Sequence, residues 1–474
     1  MSPAYGDDSP IAALATPPGE SALALIRTSG KDAVDRLAAV FSRPGALRRA
    51  PGNTVVYGWI TGPGGERLDQ VMVSVFRAPR SFTGEEGAEI ACHGGSAVIR
   101  GVLGALRDAG FRDALPGEFS FRAFMNGKLD LTRAESVMEL VFAKTGRSRD
   151  RALGRLSGAL EQEIRGINAL LVQVLAGAEL FLDYSEDEVS PGGEDGDEAA
   201  GRLPQRARAE EALGRLRTLA ASYRLEKLYR EGALAVIAGR PNAGKSSLFN
   251  RLLKEDRAIV TEIPGTTRDW IEAWISLEGI PLRLVDTAGL HDAQDPVERL
   301  GIARTRELLA QADLILYVID PSAGFEEEVM KRGFCPDQRS ARTPRPHREA
   351  AVLTMWNKAD RFPPPPDSSL LALSAKTGEG IPELIAAMVA ALEADFGTAE
   401  AGASAGLGSP RQKELVDRAV ASLEEALDLS DRAEPLDLVA PLLRDAVNAL
   451  GEITGEVSTA DILEAMFSRF CVGK

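Results

Sequence analysis

Between Gly239 and Ser246 the chain reads Gly-Arg-Pro-Asn-Ala-Gly-Lys-Ser, directly after the apolar run Ala233–Ala238. A short apolar run bounded by glycine reads as a buried parallel strand. Strand, glycine-rich turn and helix, in that order, make a phosphate cradle. The glycines let backbone N–H groups close around phosphate oxygens at the positive end of the following helix. In this pattern Lys245 reaches the β- and γ-phosphates and the Ser246 hydroxyl coordinates Mg²⁺. Such a unit needs a parallel sheet with helices on both faces. Further strands at Leu282–Val285, Leu314–Ile319 and Val352–Trp356, with helical segments between them, supply it.

Two later segments narrow the ligand to GTP. Asp286-Thr287-Ala288-Gly289 follows a strand, so its Asp can hold the Mg²⁺ hydration shell while Gly289 lets the backbone approach the γ-phosphate. Asn357-Lys358-Ala359-Asp360 follows another strand, and its Asp can accept two hydrogen bonds from guanine N1–H and the 2-amino group. Adenine offers no such pair. Ser374-Ala375-Lys376 is spaced to close over the base, and Gly265–Asp269 supplies a switch in which Thr267 holds Mg²⁺ only while GTP is present. The expected GTP contacts are therefore Asn242, Ala243, Gly244, Lys245, Ser246 and Ser247 in the cradle. With them go Thr261, Glu262, Ile263, Pro264, Gly265, Thr266 and Thr267 in the switch, and the three motifs after it.

The hydrolytic apparatus departs from Ras-like enzymes. Leu290 stands where those enzymes place a water-orienting Gln, and no residue reads as a built-in arginine finger. Glu298 is the nearest candidate. Locally, Asp295-Pro-Val-Glu298 also fits an N-cap, a Pro at the first helical position and a capping-box Glu.

The flanks have a different character. From Ile11 to Leu131, β-like runs at Thr54–Ile60, Val71–Phe76 and Glu89–Cys92, with one helix at Ala97–Ala109, read as a small α+β domain. Leu153, Leu156, Leu160, Ile164, Ile167, Leu171, Val174 and Phe181 then recur at helical steps, predicting one long helix. An acidic, Gly-rich loop at Ser185–Gly201 separates it from a second helix at Arg206–Arg230. After Phe396 the helical pattern returns, with Leu415, Val416, Ala419, Val420, Leu423 and Leu427 on one face. The α/β unit thus reads as inserted in a helical domain, although separate helical domains on either side would give the same pattern. The expected divisions are 1–130, 131–231, 232–395 and 396–474. Pro321–Arg348 and Arg361–Ser369 read as loops.

Composition excludes other classes. The chain has 474 residues, enough for about three domains, and an apolar and charged content typical of globular proteins. The pattern predicts no run of roughly 18 apolar residues and no signal peptide, hence a cytoplasmic protein without a membrane. Three scattered cysteines make neither a disulfide framework nor a zinc site. A net charge of −15 argues against broad nucleic-acid binding but leaves room for a local basic patch.

The motifs outside the nucleotide unit carry a family resemblance over nearly the whole length. They are Ala15-Thr-Pro-Pro-Gly19 with Arg27, Ser81-Phe-Thr-Gly-Glu85, Cys92-His-Gly-Gly95, Pro116-Gly-Glu-Phe119 and Asn126-Gly-Lys-Leu-Asp-Leu131. At the other end are Gly451-Glu-Ile-Thr-Gly-Glu456 and Phe470-Cys-Val-Gly-Lys474. In these the chain resembles the MnmE (TrmE) family of tRNA-modification GTPases. The resemblance implies an α+β tetrahydrofolate-binding and dimerisation domain before a helical domain interrupted by the GTPase domain.

It further implies a homodimer, a heterotetramer with the FAD-carrying flavoprotein MnmG (GidA), and tRNA as substrate. Such proteins add a carboxymethylaminomethyl or aminomethyl group at C5 of wobble uridine (U34), with 5-formyl- or 5,10-methylene-tetrahydrofolate supplying one carbon. By the same resemblance, K⁺ would be held by Asn242, Thr261, Ile263 and Thr266, standing in for an arginine finger, and Glu298 would be the catalytic glutamate. Arg27, Glu85, Lys128 and Lys474 would bind the folate. Cys471 is either a buried thiol or a reactive one beside it. Val472 replaces the usual Ile, and His291 a commonly basic residue.

Two other functions fit part of the sequence. One is a ribosome-assembly or RNA-binding regulatory GTPase, although no GXXG-type clamp follows Lys376 in a basic context. The other is a free-standing folate enzyme, although the N-terminal part lacks an evident nucleophile or general base of its own.

Overall fold

The structure is a computed structural model that describes residues 5–183, 203–255, 258–259, 271–287, 307–323, 350–364, 370–396 and 405–473. The chain divides into two compact units, Met1–Met138 with Glu161–Ala212 and Arg418–Lys474, and Glu139–Leu160 with Leu213–Asp417.

The first unit begins with a six-stranded sheet. Its strands are β1 (Ile11–Leu14), β2 (Ser21–Ser29), β3 (Thr54–Thr61), β4 (Arg67–Phe76), β5 (Gly87–Gly94) and β6 (Arg112–Asp113), in the order β3-β4-β5-β2-β1-β6. Period-two alternation in β4 sends Val71, Val73 and Val75 into the core, where they meet Ile26 of β2 and Ile90 of β5. Helices α1 (Ala33–Ala39), α2 (Pro44–Arg49) and α3 (Ser96–Asp108) accompany the sheet. Leu37 of α1 and Val102 and Leu106 of α3 belong to the same core. A fourth helix, α4 (Glu118–Met125), follows β6. The three expected strands and the expected helix are present. The central strand β2 was not foreseen, because its buried positions include Ala24, a weak apolar signal.

The single helix expected over Leu153–Phe181 is instead divided between α6 (Gly146–Leu156) and α7 (Ala159–Asp183), with α5 (Leu131–Phe142) before them. Gly158 turns the chain at φ 98°, and the apolar periodicity runs straight through this break. Leu153 and Phe181, placed on the buried face by that periodicity, are 42% and 50% exposed, while Ile164, Ile167, Leu171 and Val174 are buried. Ala159–Leu182 is also long and apolar enough, by length and composition, to cross a membrane, a stretch the sequence reading did not anticipate. Helix α8 (Arg206–Glu231) matches its expected span, and the acidic segment before it lies outside the described residues.

The second unit holds a seven-stranded sheet made of β7 (Ala233–Gly239), β8 (Ala258–Ile259), β9 (Ile271–Leu277), β10 (Ile280–Asp286), β11 (Leu314–Ile319), β12 (Ala351–Trp356) and β13 (Leu371–Ala372). The order is β13-β12-β11-β7-β10-β9-β8. From β13 to β10 the pairings are parallel. The sheet is not wholly parallel as expected, since β8–β9 and β9–β10 are antiparallel. Helix α9 (Lys245–Glu255) follows β7, and α10 (Ile381–Phe396) packs Leu384, Met388 and Leu392 into the core of this sheet. Three helices complete the chain: α11 (Pro410–Asp431), α12 (Leu436–Thr454) and α13 (Ala460–Phe467).

The turn of the β9–β10 hairpin is clamped from α6. Thr145 Oγ1 accepts from Ser148 N, capping α6, and donates to Gly279 O at 2.7 Å. The Lys144 ammonium sits 3.0 Å from the centre of the Trp274 ring on β9, where burial draws it below the ordinary lysine range.

Candidate functional site

Strand β7 lies between β10 and β11, so the C-terminal ends of these parallel strands converge where the strand order reverses. The cradle leaves β7 there. Asn242 takes a left-handed φ of 65°, which Asn tolerates better than most residues, and Gly244 takes 95°. A Cβ on Gly244 would stand 2.2 Å from Asn357 Nδ2, so this position has room for glycine alone. Lys245 is 3% exposed, and its Nζ donates to the carbonyls of Gly239 (3.0 Å) and Arg240 (2.9 Å). Burial pulls this ammonium below the usual lysine range, against the opposing pull of Asp286. Ser246 Oγ donates to Asp286 Oδ2 at 2.6 Å, bringing together the two oxygen groups expected at one cation. Thr287 is anchored by its hydroxyl to Ile237 O at 2.8 Å, and Ser247 follows, exposed, on α9.

The base-side motifs are joined by one buried amide. Asn357 is 2% exposed; its Nδ2 donates to Ala243 O at 2.7 Å and its Oδ1 accepts from Ala375 N at 3.0 Å. Three segments separate in sequence are thereby fixed together. Ala359 N donates to Leu373 O, and Ser374 Oγ donates to Asp360 Oδ1 at 2.7 Å, orienting the carboxylate expected on guanine. Lys376 is exposed.

Asp320, at the end of β11, was missed in the sequence. Both its oxygens accept from Lys358 Nζ at 2.9 Å. Burial pushes its carboxyl up, but hydrogen bonds from Ser322 and Lys358 outweigh that and hold it below the usual range. The signal was available, since Val-Ile-Asp ends a strand just as Val285-Asp286 does. Thr261, Glu262, Ile263, Pro264, Gly265, Thr266, Thr267, Ala288, Gly289, Leu290 and Glu298 lie outside the described residues.

A second site lies in the first unit, in a cleft lined by Arg27, Ser29, Phe76, Phe82, Thr83, Glu89 and Phe119, among others. Arg27 grips Glu89 Oε1 through Nε (2.9 Å) and Nη2 (2.7 Å), and its Nη1 donates to Gly473 O at 2.9 Å. Gly117 N donates to Cys471 O, so the C-terminal segment is held at both residues. Cys471 is exposed. Cys92, by contrast, is buried in β5, and burial together with the nearby Asp69 pushes its thiol up to about 11. Glu85 accepts from Ser29 Oγ (2.7 Å) and Arg122 Nη1 (3.1 Å to Oε2). Arg122 in turn meets the fully buried Glu118, which Arg112 also grips. Lys128 is exposed and donates to Pro79 O at 2.9 Å. Arg27 is thus a lining residue, Glu85 stands behind Ser29 and Thr83, and Lys128 sits on the loop before them. Lys474 lies outside the described residues. Ser29, Glu89, Arg112, Glu118 and Arg122 carried no local signal, because only the fold brings them together.

Known proteins agree over the whole chain. A family model described as the MnmE helical domain matches residues 131–471, and one described as the GTP-binding protein TrmE N-terminus matches residues 10–128. The tRNA modification GTPase MnmE of Treponema denticola is 41% identical over 483 residues, covering 99% of each chain. That of Symbiobacterium thermophilum is 42% identical over 477 residues, covering 98% of this chain and 99% of the other. Among solved structures, Aquifex aeolicus Era bound to GDP·AlF4⁻ is similar over 40% of this chain and 66% of that one, at 20% identity and a TM-score of 0.26. On these relatives, and on the motifs at both ends, the chain belongs to the MnmE family of tRNA modification GTPases.

Proposed function

We propose that this tRNA modification GTPase is stimulated by K⁺ and works as a homodimer with the flavoprotein MnmG (GidA). On this reading the pair adds a carboxymethylaminomethyl or aminomethyl group to C5 of U34 in certain tRNAs, drawing one carbon from a tetrahydrofolate. Ser246 and Asp286 suit Mg²⁺, a hard cation that takes hydroxyl and carboxylate oxygens. Lys245, drawn off the carbonyls of Gly239 and Arg240, would bind the phosphates. Asp360, oriented by Ser374, would select guanine. Asn242, with Thr261, Ile263 and Thr266, would hold K⁺, which offsets charge developing between the β- and γ-phosphates, and Glu298 would orient water.

In the N-terminal cleft, Phe76, Phe82 and Phe119 offer apolar walls for a ring, the Glu89 carboxylate is an acceptor for its N–H groups, and Glu85 stands behind Ser29 and Thr83. Arg27, Lys128 and Lys474 would meet the ligand's carboxylates. The observation that carries the reading is the hydrogen bond from Arg27 to Gly473, because it joins the two family-specific ends of the chain at one cleft. Bound there, the folate supplies the one-carbon unit, while Arg27 and Glu85 fix its orientation and Cys471 lies close by.

Deleting the gene and measuring wobble-uridine modifications in total tRNA by mass spectrometry tests the reading. The modified nucleosides should vanish and return with a plasmid copy, and an unchanged profile would overturn it. Purified protein should hydrolyse GTP many-fold faster in K⁺ than in Na⁺, and equal rates would remove the cation from the mechanism.

A further inference from the structure

In a chain of net charge −15, the rim of the N-terminal cleft is basic. The tight loop Arg77–Arg80 leaves β4 at Phe76 and returns at Ser81, and both flanking residues line the cleft. Arg77 is committed to structure: it pairs with Glu86 at 2.9 Å, and its Nη2 donates to Arg48 O at 2.7 Å, fastening the last turn of α2 to the rim. The exposed cations around it are not so committed. Arg43, Arg49 and Arg80 are exposed and have no carboxylate partner among the described residues; the same holds for Lys128 on Pro79 O. Arg48 alone in this group pairs outward, with Asp35.

Contacts link the segments that carry these cations. The Arg49 guanidinium folds back over Gly45, toward Arg43 at the start of α2, and Arg43 Nη1 donates to Tyr57 O at 3.1 Å. Helix α2 has six residues, about 9 Å at 1.5 Å each. At its other end Arg77 joins it to the loop carrying Arg80. Exposed aromatic residues stand at both ends, Tyr57 (51%), whose backbone carbonyl takes the Arg43 bond, and Phe82 (44%) two residues after Arg80 at the cleft. Cations in a row track a phosphate backbone, and exposed rings accept unstacked bases. Exposed cations in a chain of net charge −15 favour a polyanion over a second copy of this acidic chain, and an A-form duplex would offer no free base faces.

We infer that Arg43, Arg49 and Arg80, with Tyr57 and Phe82, form a track for the backbone and splayed bases of a single-stranded RNA loop, ending at the mouth of the cleft. The inference rests on the reading above only in taking that loop to belong to tRNA. It adds where on this chain the RNA lies, and it makes the cleft the point to which the loop is delivered.

The test is fluorescence-anisotropy titration of an unmodified tRNA transcript with the full-length chain over a series of salt concentrations. Replacing Arg43→Gln, Arg49→Gln and Arg80→Gln together should weaken binding at least tenfold near 0.1 M salt. It should also flatten the salt slope by about 2, at about 0.7 per lost phosphate contact on a single strand. The matching triple Arg→Lys variant should keep the slope, and GTP hydrolysis without tRNA should be the same in all three proteins. If the triple Gln variant melts early, Arg49→Gln with Arg80→Gln keeps the Arg43–Tyr57 bond and should flatten the slope by about 1.4. Wild-type affinity and slope in the Gln variants overturn the track. So does intact tRNA binding with lost self-association, which would make the strip a protein interface. A parallel titration with 5-formyl-tetrahydrofolate separates the two readings. Failure of the wild type to bind it sinks the folate assignment alone, whereas a Gln variant that binds folate but loses tRNA supports the track.

Discussion

The nucleotide end of the second unit and the cleft of the first are assembled by opposite strategies. At the nucleotide end each functional group sits in a run of three to eight consecutive residues at the end of a strand. The sheet needs only to align those runs, and a single buried amide, Asn357, then ties them together. In the cleft the groups come from runs far apart in the chain. Arg27 is on β2, Glu85 before β5, Arg122 on α4, and Gly473 lies 446 residues from Arg27. The first design places a ligand by local backbone geometry and is robust to changes elsewhere. The second places it by tertiary packing, so a distant change can dismantle it.

The largest effect should follow from removing the amide clip. Asn357→Ala leaves the buried acceptor Ala243 O and the donor Ala375 N–H without partners, each worth about 1–3 kcal/mol. GTP affinity, measured with a fluorescent analogue, should fall roughly 30-fold or more by that estimate, while the N-terminal cleft is untouched. A variant with wild-type affinity would show that the cradle does not depend on the clip.

The cleft should break from its far end. Gly473 has φ 88°, and a Cβ there would lie 2.8 Å from Leu14 O and 3.0 Å from the Ala15 Cα. Gly473→Ala should therefore cost about 1–2 kcal/mol in backbone strain alone and release the last residues to carboxypeptidase several-fold faster. GTP hydrolysis should be unchanged. Unaltered trimming would mean that the Arg27 contact does not hold the segment.

The smallest effect at neutral pH separates two thiols in the same unit. At pH 8 iodoacetamide should label Cys471 well before Cys92, as followed by peptide mass spectrometry. Because the folded state holds the Cys92 proton up to about 11, its contribution to stability is complete below the unfolded thiol's value of about 8.5. It is then lost as pH rises toward 11, by about 3 kcal/mol. Wild type and Cys92→Ala should diverge in unfolding midpoint over that range. Equal labelling of the two thiols would contradict the buried site.

The same contrast explains what could be read from the chain before its structure. The strands β7, β10, β11 and β12 and the motifs at their ends were legible because strand, turn and ligand group are neighbours in sequence. The antiparallel β9 was legible too, through its alternation and the Glu278-Gly279 turn, but it carries no motif and was passed over. The break between α6 and α7 was hidden because one glycine costs a helix only about 1 kcal/mol and the apolar period keeps its phase across it. In the cleft only Arg27, Glu85, Lys128 and the C-terminal segment were singled out, and by family resemblance rather than by physics. The Arg112–Glu118–Arg122–Glu85 chain of charges exists only once β6, α4 and the loop before β5 have packed.

The hydrogen bond between Arg27 and Gly473 also sets an order in time. A ribosome adds roughly 5–20 residues each second, so the partner of Arg27 emerges tens of seconds after the strand that carries it. The six-stranded sheet can form while synthesis continues, but its cleft is finished only when Gly473 arrives. A chain cut short by a nonsense codon or a stalled ribosome would keep its phosphate cradle and lack the far wall of the cleft. Translation thus reaches that wall of the cleft only after the sheet and the nucleotide unit have been made.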